Sequence, residues 1–120
     1  MGESFRDLVV WQRAVQLSLE VYKLTSAFPP AEQFGLTNQM RRASVSIASN
    51  IAEGYGRSSK GEYLLFLGHA RGSNFELQTQ LVIAEGLGLG DSVSRRNAAS
   101  LSEEVSRMLV AIMTKLKAKK

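Results

Sequence analysis

Apolar residues recur every three or four positions along four stretches of the chain, and no stretch alternates them for the length of a strand. The first helix is predicted over about residues 7–27. Asp7 suits its start, and Phe28-Pro29-Pro30 stops it, because proline disfavours a helical residue before it and offers no amide. Residues 30–34 make a short turn before Gly35. The second helix is predicted over about residues 37–55 and ends at Gly54-Tyr55-Gly56. Ser59-Lys-Gly-Glu62 is a capping box that opens the third, and Gly86-Leu-Gly-Leu-Gly90 closes it with left-handed caps. Asp91 or Ser92 caps a fourth that reaches nearly to Lys117. Helices of about 20 residues span roughly 30 Å, and short connections make neighbours antiparallel. The predicted fold is an all-α, antiparallel up-down four-helix bundle, one domain over residues 1–120.

The apolar faces differ in width. Leu36, Met40, Ala43, Ile47 and Ile51 share one narrow stripe of the second helix, as do Leu101, Val105, Met108, Ile112 and Leu116 on the fourth. On the third, Tyr63, Phe66, Leu67, Ala70, Asn74, Leu77, Leu81 and Ala84 form the predicted core stripe. Leu64, Phe75 and Val82, with the small Gly68 and Gly86, gather on another side, and Leu65, Gly72 and Ile83 lie beside them. The first helix is similar: Leu8, Trp11, Val15, Leu19 and Tyr22 form a core stripe that Val10, Leu17, Val21 and Leu24 widen. One bundle gives each helix about half a perimeter of core. The surplus is expected to be covered by another subunit, with Leu64, Gly68, Phe75 and Val82 at the interface. The plainer reading is isolated exposed leucines, common on any protein surface.

Composition narrows the chemistry. The chain has 120 residues, 44% hydrophobic and 22% charged, within the range of an ordinary globular domain. With no cysteine there is no disulfide framework, thiolate zinc site or cysteine nucleophile, and a cytoplasmic location is expected. No apolar run is long enough for a membrane span, and residues 1–7 are too charged for a signal peptide. The net charge of +4 sits in the last turn, at Lys115, Lys117, Lys119 and Lys120. The 15 basic residues less these four leave 11, equal to the 11 acidic ones. Lysines there also favour the helix dipole. Arg41, Arg42, Arg57 and Lys60 form a second local excess.

Catalytic material is sparse. His69 is the only histidine, so one chain cannot build a two-histidine metal site. Glu62, His69 and Glu76 recur at seven-residue spacing, which more often edges a core than lines up ligands. No Gly-x-Ser-x-Gly elbow occurs, and the glycine pairs follow helices rather than strands, unlike phosphate loops. Neither a metal nor a cofactor is expected. Gln39, Ser46, Asn50 and Glu53 flank the apolar face of the second helix, and Ser73, Asn74, Glu76 and Gln80 lie in or beside that of the third. Buried polar groups need partners, so these are expected to bond across the two helices or across subunits. The sharper alternative is a paired Glu53/Glu76 acid–base site in a small hydrolase.

Six segments stand in order. They are Phe5-Arg-Asp-Leu-Val-Val-Trp11-Gln-Arg-Ala14, Phe28-Pro29, Glu32-Gln-Phe-Gly-Leu36-Thr, Gln39-Met-Arg-Arg42-Ala-Ser-Val-Ser46-Ile47, Asn50-Ile-Ala-Glu53-Gly54 and Gly72-Ser73-Asn74-Phe-Glu76-Leu77. Over about three-quarters of the chain they resemble the bacterial four-helix-bundle family of 23S ribosomal RNA intervening-sequence proteins. That family includes the accessory variability determinant of diversity-generating retroelements. The resemblance implies a cytoplasmic homopentameric ring without known catalytic activity, and for the accessory protein a reverse transcriptase and nucleic acid as partners. It carries over Gln39, Ser46, Asn50, Glu53, Ser73 and Glu76 as polar positions and Arg41 and Arg42 as basic ones. Beyond Gly90 the likeness is only that of a helix of suitable length.

A ring would repeat Arg41, Arg42, Arg57, Lys60, Arg71 and the lysine tail around one axis, making a positive potential that attracts phosphates. Stacking on single-stranded bases is disfavoured, because Trp11, Tyr22, Tyr63 and Phe66 fall on core stripes. The expected function is a non-enzymatic homo-oligomer that binds RNA or DNA backbone or a nucleoprotein partner. The competing expectation is a protein-interaction scaffold whose basic residues are only solvated.

Overall fold

Side chains cap the turn before the first helix and the starts of the third and fourth, but not the starts of the first and second, in a computed structural model that describes residues 4–119. Ser4, rather than Asp7, is the first cap. Its hydroxyl accepts from the Arg6 amide at 3.1 Å, and Asp7 accepts from the Ser4 amide at 3.2 Å, closing a single turn, Phe5–Asp7. Leu8 is extended, and α1 then runs Val9–Thr25, two residues short at each end of the predicted span. Beyond Pro29 a tight turn Pro30–Glu32 passes into a wide, π-type turn Gln33–Thr37, kinked at the non-helical Gly35, that leads into α2, Asn38–Tyr55. In α3, Lys60–Gly86, the Ser59 hydroxyl accepts from the Glu62 amide at 3.1 Å, as the capping pattern predicts. Gly88 and Gly90 take the left-handed backbone (φ 69° and 73°), and a Cβ on Gly90 would collide with Leu24. Asp91 then caps α4, Ser92–Ala118, accepting from the Val93 and Ser94 amides at 2.9 and 3.0 Å.

No strand occurs among the described residues. The helices form a square: α1 packs on α2 and α4, and α3 packs on α2 and α4. Every seam is antiparallel. Thr25 meets Arg41, Ser46 meets Ser73, Asn74 meets Ser102 and Arg13 meets Glu104. The bundle measures 49 × 24 × 22 Å. Loops 26–37 and 87–91 therefore lie at one pole, and the turn 56–59 and the end of α4 at the other.

The cores of α2 and α3 are the predicted ones, with Met40, Ala43, Ile47 and Ile51 facing Leu67, Ala70, Leu77, Leu81 and Ala84; Leu36, Tyr63 and Phe66 are only partly covered. In α1 the two stripes exchange roles. Val10, Ala14, Leu17, Val21 and Leu24 are buried, whereas Leu19 and Tyr22 face solvent and Trp11 and Val15 are half-covered. The inward stripe holds the small Ala14, and the stripe with the bulkier Trp11 and Tyr22 is left towards the outside. In α4 the buried line is Ser94, Ala98, Ser102, Val105 and Leu109, which moves Leu101, Met108, Ile112 and Leu116 to the rim. Small residues again set the contact.

Candidate nucleic-acid interface

The predicted basic residues gather near the two ends of the bundle, with Arg71 alone between them. Arg41 and Arg42 lie in the first turns of α2 and Arg57 just past its end, so Arg42 and Arg57 are about 22 Å apart along the axis. Arg41 is a strut between helices: its Nε donates to Thr25 Oγ1 at 2.8 Å, and its guanidinium sits 4.5 Å above the Tyr22 ring. Arg42 is exposed and makes no side-chain bond among the described residues. Arg71, midway, covers the Phe75 ring. At the other pole Arg57 pairs with Glu53 at 2.6 Å and lies over Phe66, and the Lys60 ammonium donates to the Lys119 carbonyl. That bond ties the start of α3 to the end of α4. It gathers Lys60, Lys115, Lys117 and Lys119 at one pole, all four exposed. Lys120 lies outside the described residues.

The predicted polar network is partly there. Ser46 and Ser73 hydroxyls meet across α2 and α3 at 2.9 Å, and the Asn50 amide donates to the Ser46 carbonyl and hydroxyl at 2.8 and 2.9 Å. Glu53 turns to Arg57, and among the described residues Glu76 receives only Gln80, at 3.4 Å, each a partner four residues away in the chain. Gln39, Arg42, Ser46, Ser73 and Glu76 line an open groove of about 290 Å³ between these helices. Glu53 and Glu76 are not brought together. With Ser46 level with Ser73, they sit about ten residues apart along the axis, roughly 15 Å. A shared acid–base site between them is thereby removed within one chain. No cluster of three or more metal-ligating side chains occurs among the described residues, and Glu62, His69 and Glu76 make none.

A second network was only half visible in the sequence. The Asn74 amide donates to the Ser102 carbonyl at 2.9 Å, the Ser102 hydroxyl donates to Asn74 Oδ1 at 2.6 Å, and Gln78 donates to that hydroxyl at 3.0 Å. Asn74 and Ser102 are both 0% exposed. Asn74 stands out on an apolar stripe, but Ser102 has no signal of its own. Burial, with the neighbouring Tyr55 second, raises the Tyr63 phenol above its ordinary range. Hydrogen bonds from Ser94, side chain first and then backbone, hold Asp91 below the usual carboxylate range.

The face of α3 opposite its core is open. Phe75 is 46% and Val82 68% exposed, Leu64 and Gly68 are partly covered, and Leu65 and Ile83 are exposed. Between α1 and α2, Trp11, Val15, Leu19, Val45, Ala48 and Ala52 line an apolar groove of about 320 Å³. Tyr22 is therefore not a core residue, and Phe34, 88% exposed, is a free aromatic that the stripes did not single out. No helix among the described residues is long and apolar enough to cross a membrane.

Known proteins share this architecture. A protein of unknown function from the S23 ribosomal protein family of Bacteroides thetaiotaomicron, known from its crystal structure, superposes with a TM-score of 0.78 at 19% identity. The match covers 88% of this chain and 98% of that one, which establishes the shared fold. No curated protein sequence matches. The family model for the 23S rRNA-intervening sequence protein matches residues 6–111, nearly the whole of the described bundle, and the chain belongs to that family.

Proposed function

We propose that the chain is a non-enzymatic, homo-oligomeric bundle that binds the sugar–phosphate backbone of RNA or DNA, free or within a nucleoprotein, through its lysine-rich pole. The observation that carries this reading is the convergence of Lys60, Lys115, Lys117 and Lys119 at that pole. Glu53, near the end of α2 at that pole, is already paired with Arg57. The open apolar face of α3 supports assembly, because a monomer rarely leaves so much contiguous apolar surface in water. A cyclic assembly with its axis along the bundles sets every lysine pole on one rim, and the summed potential attracts a polyanion without reading its bases. A ring of five is the size that the family resemblance implies.

The test is a titration of structured RNA at two salt concentrations, with Lys115, Lys117 and Lys119 reversed to glutamate. The wild-type chain should bind more weakly as salt rises. The triple variant should flatten the log–log salt dependence by about 2–3, near 0.9 for each phosphate no longer neutralised. Arg42→Glu should weaken binding less, and Arg41 is unsuitable for the purpose because its guanidinium holds α1 to α2. Absence of binding even at low salt favours a protein-interaction scaffold. That reading draws on one observation, the internal engagement of Arg41 and Arg57.

A further inference from the structure

The chain carries two unlike apolar faces that its own fold leaves open. On α3, positions spaced alternately three and four apart, Leu65, Gly68, Gly72, Phe75, Thr79 and Val82, form a second seam opposite the core. A Cβ on Gly68 or Gly72 would meet nothing within 4 Å, so Phe75 and Val82 project beside shallow backbone. On the other side of the bundle, the groove between α1 and α2 is floored by the small Ala48, Ser49 and Ala52 and walled by Trp11 and Leu19. Leu19, 67% exposed, is two residues from both Leu17 and Val21 and so points away from the core.

We infer that the two faces bind each other between copies, with Phe75 and Val82 of one chain seated in the α1–α2 groove of the next and Leu19 of that next chain lying over Gly68 and Gly72. This pairing rests on the homo-oligomer proposed above and names its interface. A contact of α3 with α3 would leave every α1–α2 groove in water. One repeated head-to-tail contact covers both faces, and such a contact propagates around a ring. The shapes agree as well: bulk protrudes from α3 where glycines make room beside it, and small residues hollow the groove.

Leu19→Asp and Phe75→Asp each charge one face only, at positions exposed enough for the single bundle to fold unaltered. In light scattering, each variant alone should fall to the mass of one chain. An equimolar mixture should form a one-to-one pair of twice that mass, since one variant keeps its α3 face and the other its groove. A mixture that remains single-chain overturns the pairing, and so does either variant that keeps the wild-type mass. Cross-linking reads the same contact independently, because the chain has no cysteine of its own. Oxidised Ser49→Cys/Gly72→Cys chains should run as a ladder of linked copies. A dimer from Gly72→Cys alone places α3 against α3 and overturns the inference. If the wild-type chain is single at every concentration, the proposed assembly falls with the pairing; if it assembles but the mixture does not, only the pairing falls.

Discussion

The two seams that flank α3 are built from similar residues and differ in what covers them. On the α4 side, Asn74 and Ser102 exchange two hydrogen bonds with no access to water. On the α2 side, Ser46 and Ser73 meet in a groove that also holds Arg42 and Glu76. An amide and a hydroxyl sealed in a core need their partners, because losing one leaves the other desolvated and unpaired. A hydroxyl pair at a groove can turn to solvent instead. Burial thus makes the first seam a determinant of helix register, and openness leaves the second free to meet something else.

Substitutions in the sealed seam should have the largest effects. Asn74→Ala should destabilise the bundle by about 3 kcal/mol in urea unfolding, through an unpaired Ser102 hydroxyl and the space left behind. Gly54→Ala tests where the α2–α3 seam closes, since its Cβ would stand 2.7 Å from the Phe66 Cβ; a loss of about 2 kcal/mol is expected. Replacing both buried partners, Asn74→Leu with Ser102→Ala, should return stability to within about 1 kcal/mol of wild type. Ser46→Ala should change it by only about 0.5 kcal/mol, and an effect as large as that of Asn74→Ala would erase the distinction. The smallest effect concerns Asp91, a polar contact outside both seams. Its lowered pKa means that the helix cap contributes above the ordinary carboxylate value, near 3.9, and is lost as pH falls through the folded value. Asp91→Asn should remove that acid-limb dependence from a melting profile.

The sequence showed the four helices because proline, glycine and capping residues punctuate them and α2 has one apolar stripe. It did not show which stripe of α1 faces inward. Leu19 and Tyr22 carry more apolar area than Ala14, yet the small residue is the one buried, a choice that depends on how tightly neighbouring helices pack and not on hydropathy. Ser94, Ala98 and Ser102 set the contact line of α4 for the same reason, and serine reads as surface in any hydropathy pattern. Positive charge was legible as composition but not as placement. Arg41 and Arg57 are claimed by Thr25, Tyr22 and Phe66, partners that only the packed helices bring near, and Arg57 also by Glu53, four residues before it in the chain. The lysine pole emerges because an antiparallel bundle returns α4 to the height of Lys60.

An even number of antiparallel helices also brings Ser4 and Lys119 to the same pole. An affinity tag or fluorescent fusion on either terminus would therefore stand over the lysines and screen them. A reporter spliced into the segment 30–34 would emerge from the far pole, with the cationic surface left bare.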